Sequence, residues 1–133
     1  MEIVVTAELH PTEDPARVLK ALENVFPSLD YKQKKGAASG SGAGSFSTSG
    51  KGMKDLEVLK EHLKQQLIRS SARGFLLARI EDGSLSFGLN KQAAYMGKIS
   101  FVDFPIALGP ISVDITEKGE KELEELVEWL CGE

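Results

Sequence analysis

Cysteine is nearly absent. Cys131 is the only one in 133 residues, so no disulfide can close within the chain. That usage suits a reducing compartment and leaves the fold to its core. Histidine is almost as scarce, with His10 and His62 alone. Two histidines and one thiol are a poor supply for a transition-metal site, which takes three or four protein ligands. No apolar run approaches the roughly 18 residues that span a bilayer. Residues 3–5 are apolar but follow Glu2 instead of a basic start, so no signal peptide is expected. The expectations are therefore a cytoplasmic chain, no membrane partner and no cofactor.

A strong excess of either charge is also missing. The net charge is −4, and its distribution is uneven. Residues 117–133 hold seven Glu and two Lys, a local charge of −5. Residues 1–116 hold 14 Lys and Arg against 13 Asp and Glu. The body is near neutral and can carry a basic face. Hydrophobic residues make up 41% and charged residues 27%, as in an ordinary globular domain. A chain of this length can bury a core of its own, and one domain over residues 1–133 is expected.

Alternation of Ile3, Val5, Ala7 and Leu9 with Glu2, Val4, Thr6 and Glu8 predicts a strand with one apolar face. Asp14 before Pro15 is an N-cap followed by proline at the first helical position. The helix it opens carries Val18, Leu19, Leu22, Val25 and Phe26, and Pro27 stops it. Residues 36–50 are almost all Gly, Ser and Ala, the composition of a flexible loop. A short strand at 45–49, anchored by Phe46, is the alternative there.

From Lys54 a helical stripe runs through Leu56, Leu59, Leu63, Leu67, Ile68, Ala72, Phe75 and Leu76 to about Arg79. Gly74 or Ser70-Ser71 is the expected place for a bend. Asp82-Gly83 is a turn before the strand of Leu85, Phe87 and Leu89. Asn90 caps a short turn closed by Gly97. Ile99 and Phe101, then Ile111, Val113 and Ile115, alternate as further strands. Leu123, Leu126, Val127 and Leu130 line one face of a terminal acidic helix. The order implies an α+β two-layer sandwich, with a mixed or antiparallel sheet covered by helices on one face.

Nothing in these residues spells an enzyme. The glycine-rich tract fails as a phosphate loop: Gly52 follows Gly50-Lys51 where a hydroxyl is required, and Ser45 stands where the first glycine belongs. His10 with Glu13 and Asp14 lacks a further ligand, and Asp14 already has a capping role. Cys131 has no basic neighbour in sequence to activate it.

The positive signal is a set of cations and amides. Arg69 and Arg73 are four apart and share a helix face. Lys32, Lys34 and Lys35 flank the glycine-rich tract, and Lys91 and Lys98 flank the turn after the Leu85 strand. These groups suit RNA phosphates, while Asn90 and Gln92 suit base edges or 2′-hydroxyls. Tyr95 and Phe101 offer stacking surfaces or core packing. In the purely structural alternative Asn90 caps, Ala93 and Ala94 pack, and Lys91 and Gln92 face water.

Several segments, in order, carry a family resemblance: Pro11-Thr12-Glu13-Asp14, the helix over 18–24, Phe26-Pro27, residues 66–73, Asn90-Lys91-Gln92-Ala93-Ala94 and Leu108-Gly109-Pro110-Ile111. Across nearly its whole length the chain resembles an archaeal family of uncharacterised proteins, once domain of unknown function fifty-four, described as RNA-binding. The resemblance implies a fold similar to the large-subunit ribosomal protein that binds 5S rRNA, an RNA partner, and a link to RNA processing or ribosome-related work. It carries over no catalytic residue. The leading expectation is a small non-enzymatic RNA-binding protein. The alternative is a protein-interaction module or homodimer without nucleic acid, its acidic terminal helix engaging a basic partner.

Overall fold

The alternating N-terminal segment forms the centre of the sheet. In the computed structural model, which describes residues 1–10, 12–35, 44–50, 52–102, 109–117 and 119–132, β1 spans Glu2–Leu9. It pairs with β3 (Gly44–Gly50) on one side and β7 (Ile111–Thr116) on the other. β2 (Lys32–Lys35) adds to β3, while β5 (Ser84–Leu89) adds to β7 and carries β4 (Ile80–Glu81) and β6 (Phe101–Val102). The order is β2-β3-β1-β7-β5-β4, with β6 also on β5, and every described pairing is antiparallel.

Register follows the apolar period. Ile3 stands opposite Ile115, which stands opposite Leu85; Val5, Val113 and Phe87 repeat the pattern one step along. A slip of one residue would turn all of them to water, so burial of one face specifies the pairing. The other face carries Val4, Thr6, Ser47, Ser86, Ser112 and Asp114, half-buried or exposed.

The helices cover the apolar face only. α1 (Pro15–Val25) buries Val18, Ala21, Leu22 and Val25. α2 (Glu57–Gln65), entered by a 3-10 turn at Met53–Leu56, buries Leu59 and Leu63. α3 (Arg69–Leu77) buries Ala72 and Leu76, α4 (Lys91–Tyr95) buries Ala94, and α5 (Glu120–Cys131) contributes Leu123, Leu126, Val127 and Leu130. All join the strands in one core. Burying each such Leu or Val contributes about 1.5–3 kcal/mol relative to exposure. The two-layer α+β sandwich is present, in its antiparallel form.

The structure decides two local expectations. Residues 44–50 form the strand given as the alternative to a loop; Phe46, opposite Ala7, is buried and anchors it. Residues 36–43 lie outside the described set, as does Leu108 of the Leu-Gly-Pro turn. The helical stripe breaks at residues 66–68, not at Gly74 or Ser70-Ser71. There the Ile68 N–H reaches the Leu63 carbonyl and the Leu67 N–H the Lys64 carbonyl, with Leu67 at φ 57°. This is a Schellman ending with leucine in the usual place of glycine. Its signal is invisible in composition because tertiary contacts hold it. The Gln66 side chain accepts from the Ile99 N–H at 2.7 Å and donates to the Ile99 carbonyl at 3.0 Å, pairing as a strand would.

Candidate nucleic-acid interface

Helical spacing places Arg17, Lys20 and Asn24 on one stripe of α1, at i, i+3 and i+7. That stripe faces α4. The Asn24 amide donates to the carbonyls of Ala94 at 2.9 Å and Tyr95 at 3.2 Å, satisfying the end of α4. α4 begins as its sequence implies: the Asn90 side chain accepts from the Ala93 N–H at 2.9 Å. It ends in a second Schellman turn, with Gly97 at φ 78°. The two helices thereby hold Tyr95, half-buried against the core, beneath two cations. Arg17 Cζ lies 5.7 Å and Lys20 Nζ 5.2 Å from its ring centroid. Both cations are exposed, as are Gln92 and Lys98. Beside them opens a depression of about 890 Å³, lined by residues 12–18 in part and by Asn90, Gln92, Tyr95 and Met96.

Lys91 does not face water, although it is among the residues that line the depression. It is the buried charged residue of the described set, 8% exposed. Its ammonium donates to the Glu8 carbonyl at 2.6 Å and to the Glu13 carboxylate at 3.0 and 3.3 Å. Glu13 also accepts from the His10 N–H at 3.0 Å. The ion pair ties the end of β1 and the approach to α1 onto α4. Glu13, read in sequence only beside His10 and Asp14, serves this pair.

Arg69 and Arg73 also have other work. Arg69 donates to the Gly132 carbonyl at 3.3 Å, and Arg73 pairs with Glu128 at 2.6 Å. Lys60 donates to the carbonyls of Trp129 and of Gly132. Lys60 and Arg69 satisfy the last carbonyls of α5 and oppose its negative end. The hydrogen bond from Arg73 holds the Glu128 carboxyl below the usual carboxylate range, and the same bond raises the Arg73 guanidinium. Burial raises the Cys131 thiol, helped by Glu128 and opposed by Lys60 and Arg73, which removes thiolate at neutral pH.

Lys32 is exposed on the edge strand β2, at the far end of the sheet from β4 and β5, against which α5 packs. Lys34 and Lys35 share that strand, their side chains outside the described set. Phe101 is committed to packing, with ring centroids 4.8 Å from Phe75 and 5.8 Å from Phe87. The expected cations thus fall in three places. Asn90, Gln92 and Lys98 join one of them, and Arg17 and Lys20, which sequence reasoning passed over, complete it. Their three-residue spacing on the stripe of Asn24 was the available signal.

A family model described as RNA binding matches residues 2–116. A UPF0201 protein of Metallosphaera sedula is 35% identical over 131 residues, covering 97% of this chain and 86% of that protein. The chain belongs to this family. A UPF0201 protein of Methanothermobacter thermautotrophicus is likewise 35% identical, over 98% of this chain and 90% of its own length. The crystal structure of the family member from Methanococcus jannaschii superposes with a TM-score of 0.85 at 30% identity, covering 99% of this chain and all of that one. A crystal structure from Archaeoglobus, described as DUF54, shares the fold at a TM-score of 0.72 and 21% identity, covering 98% of this chain and 97% of that one. Among the described residues no helix is long and apolar enough to cross a membrane.

Proposed function

We propose that the chain is a non-enzymatic RNA-binding protein and that RNA meets it on the α1/α4 surface. The observation that carries this is the convergence of Arg17, Lys20 and Tyr95 beside an open depression, with Gln92 and Lys98 exposed on α4 and just after it. The family description gives the ligand class independent support. Cations supply affinity through phosphates, and amide side chains supply register. Lys32, Lys34 and Lys35 on β2 would form a separate, weaker contact for a longer RNA. A role in RNA processing or ribosome-related work belongs to the same proposal.

The test is fluorescence anisotropy with single-stranded RNA at two or more salt concentrations. Three cations engaging phosphates give a slope of log affinity against log salt of about −2, since each contact on a single strand contributes about −0.7. Arg17→Gln and Lys20→Gln should each reduce that slope by about one contact. Arg73→Gln, whose partner is Glu128, should leave it unchanged. A salt-independent affinity, or no binding at low salt, would remove the proposal.

One observation favours a protein partner instead. Leu67 and Met96 are exposed apolar residues, 86% and 69%. A homodimer through them would show a concentration-dependent mass above 14.4 kDa, abolished in Leu67→Ser with Met96→Ser.

A further inference from the structure

The α1/α4 depression has more shape than a phosphate-gripping surface needs. It is concave, and its 890 Å³ falls within the range of small-molecule sites, about 300–1,000 Å³. Thr12, Asp14, Arg17, Gln92, Tyr95 and Met96 are among the residues that line it. Arg17 and Lys20 over the ring make a local pair of cations, and Asp14 adds an acidic group to the lining.

This combination discriminates between forms of RNA. A duplex offers a convex surface and a dense track of phosphates, and is gripped across its shallow groove by extended basic surfaces. It cannot put a base into a concavity. An unpaired nucleotide asks for the opposite: an aromatic face for its base, one or two cations for its phosphate, and acceptors for its edge.

We infer that the depression takes one unpaired nucleotide of a single-stranded RNA segment. Its base stacks on Tyr95, its phosphate is met by Arg17 or Lys20, and its edge is met by Gln92 and Asp14. The inference rests on the RNA-binding proposal above and narrows its ligand. The attraction of an exposed cation to an aromatic face is weak, so Arg17 and Lys20 can swing to a phosphate and leave the ring to a base. Asp14 Oδ1 accepts the Ala16 N–H at 3.0 Å, and a carboxylate keeps further acceptor sites for an exocyclic amino group. Tyr95 itself is positioned from behind by the Asn24 amide on its carbonyl, so the stacking platform is built before any ligand arrives.

The experiment uses the full chain and a short RNA carrying one 2-aminopurine, either single-stranded or annealed to its complement. Native protein is compared with Tyr95→Phe, Tyr95→Leu and Arg17→Gln, with thermal melts of each. Single-stranded RNA should bind more tightly than duplex and its 2-aminopurine should be quenched. Tyr95→Phe, which keeps the ring, should match native protein. Tyr95→Leu should bind the single strand about tenfold more weakly, the scale of one lost base–aromatic stack. Equal affinity for both RNAs, with Tyr95→Leu matching native protein while Arg17→Gln still weakens binding, overturns the nucleotide site and leaves the electrostatic RNA proposal standing. Absence of binding to either RNA at low salt overturns both. Should Tyr95→Leu fail to fold, the quenching decides: its presence in native protein supports the site and its absence overturns it.

Discussion

Leu67 holds a left-handed backbone at φ 57° while the residue is 86% exposed. An L-residue with a Cβ is strained there by about 1–2 kcal/mol, and glycine is not. Little packing is lost on truncation at such exposure. Leu67→Gly should therefore stabilise the fold by about 0.5–1 kcal/mol, read from denaturant midpoints at constant m-value. Tyr31 behaves differently. Its hydroxyl donates to the carbonyls of Phe26 at 3.1 Å and Leu22 at 3.3 Å, closing the end of α1. Burial, reinforced by Glu23, pushes its pKa well above the ordinary phenol value. The native state thus prefers the protonated form. The stability it contributes is complete below about pH 10 and is lost as pH rises through the raised native value. Tyr31→Phe should cost about 1 kcal/mol at neutral pH. It should also flatten the alkaline loss of stability above about pH 10 seen in pH-dependent melts.

Between elements, buried polar contacts do the joining that short helices cannot do alone. α4 has five residues, too few to be stable in isolation. It is held by the Asn90 cap at its start, by Asn24 at its end and by Lys91 beneath. Removing Lys91 leaves the Glu13 carboxylate buried without its cation. Lys91→Met should cost about 3 kcal/mol, since breaking one partner of a buried pair is more damaging than the pair is worth. Any loss of RNA affinity in that variant would follow the melting curve, which separates it from Arg17→Gln. The exposed Arg73–Glu128 pair is the contrast. Its contribution is present above the usual carboxylate range and fades as pH falls through the lowered Glu128 value, so Glu128→Gln should matter little at neutral pH and not at all in acid.

For the whole molecule, the uneven charge has a structural explanation. The acidic segment is not a detachable tail. Leu123, Leu126, Val127 and Leu130 of α5 are buried, and the helix takes up Lys60, Arg69 and Arg73 of α2 and α3. Truncation after Gly119 should abolish the cooperative thermal transition instead of unmasking a basic face, because several large core side chains leave together. Of the exposed cations that α5 does not hold, Arg17, Lys20 and Lys98 lie on α1 and just after α4, and Lys32 lies apart on β2.

Most of the architecture was legible in residue order. Period-two alternation in β1, β5 and β7 and the stripes of α1 and α5 announce a sheet with one apolar face and helices to cover it. Asp14 and Asn90 announce their helices because capping is chemistry between near neighbours. The break at Leu67 was not legible, since it is held by Gln66 reaching a residue 33 positions away. Nor was the division of the cations, since a lysine at 91 or an arginine at 73 looks the same in sequence whether its partner is water, a phosphate or a carboxylate. Local periodicity and capping thus determined which elements form and which faces they bury. Only the tertiary structure decided which charges are committed to the fold, because those pairings join residues 55 and 78 positions apart.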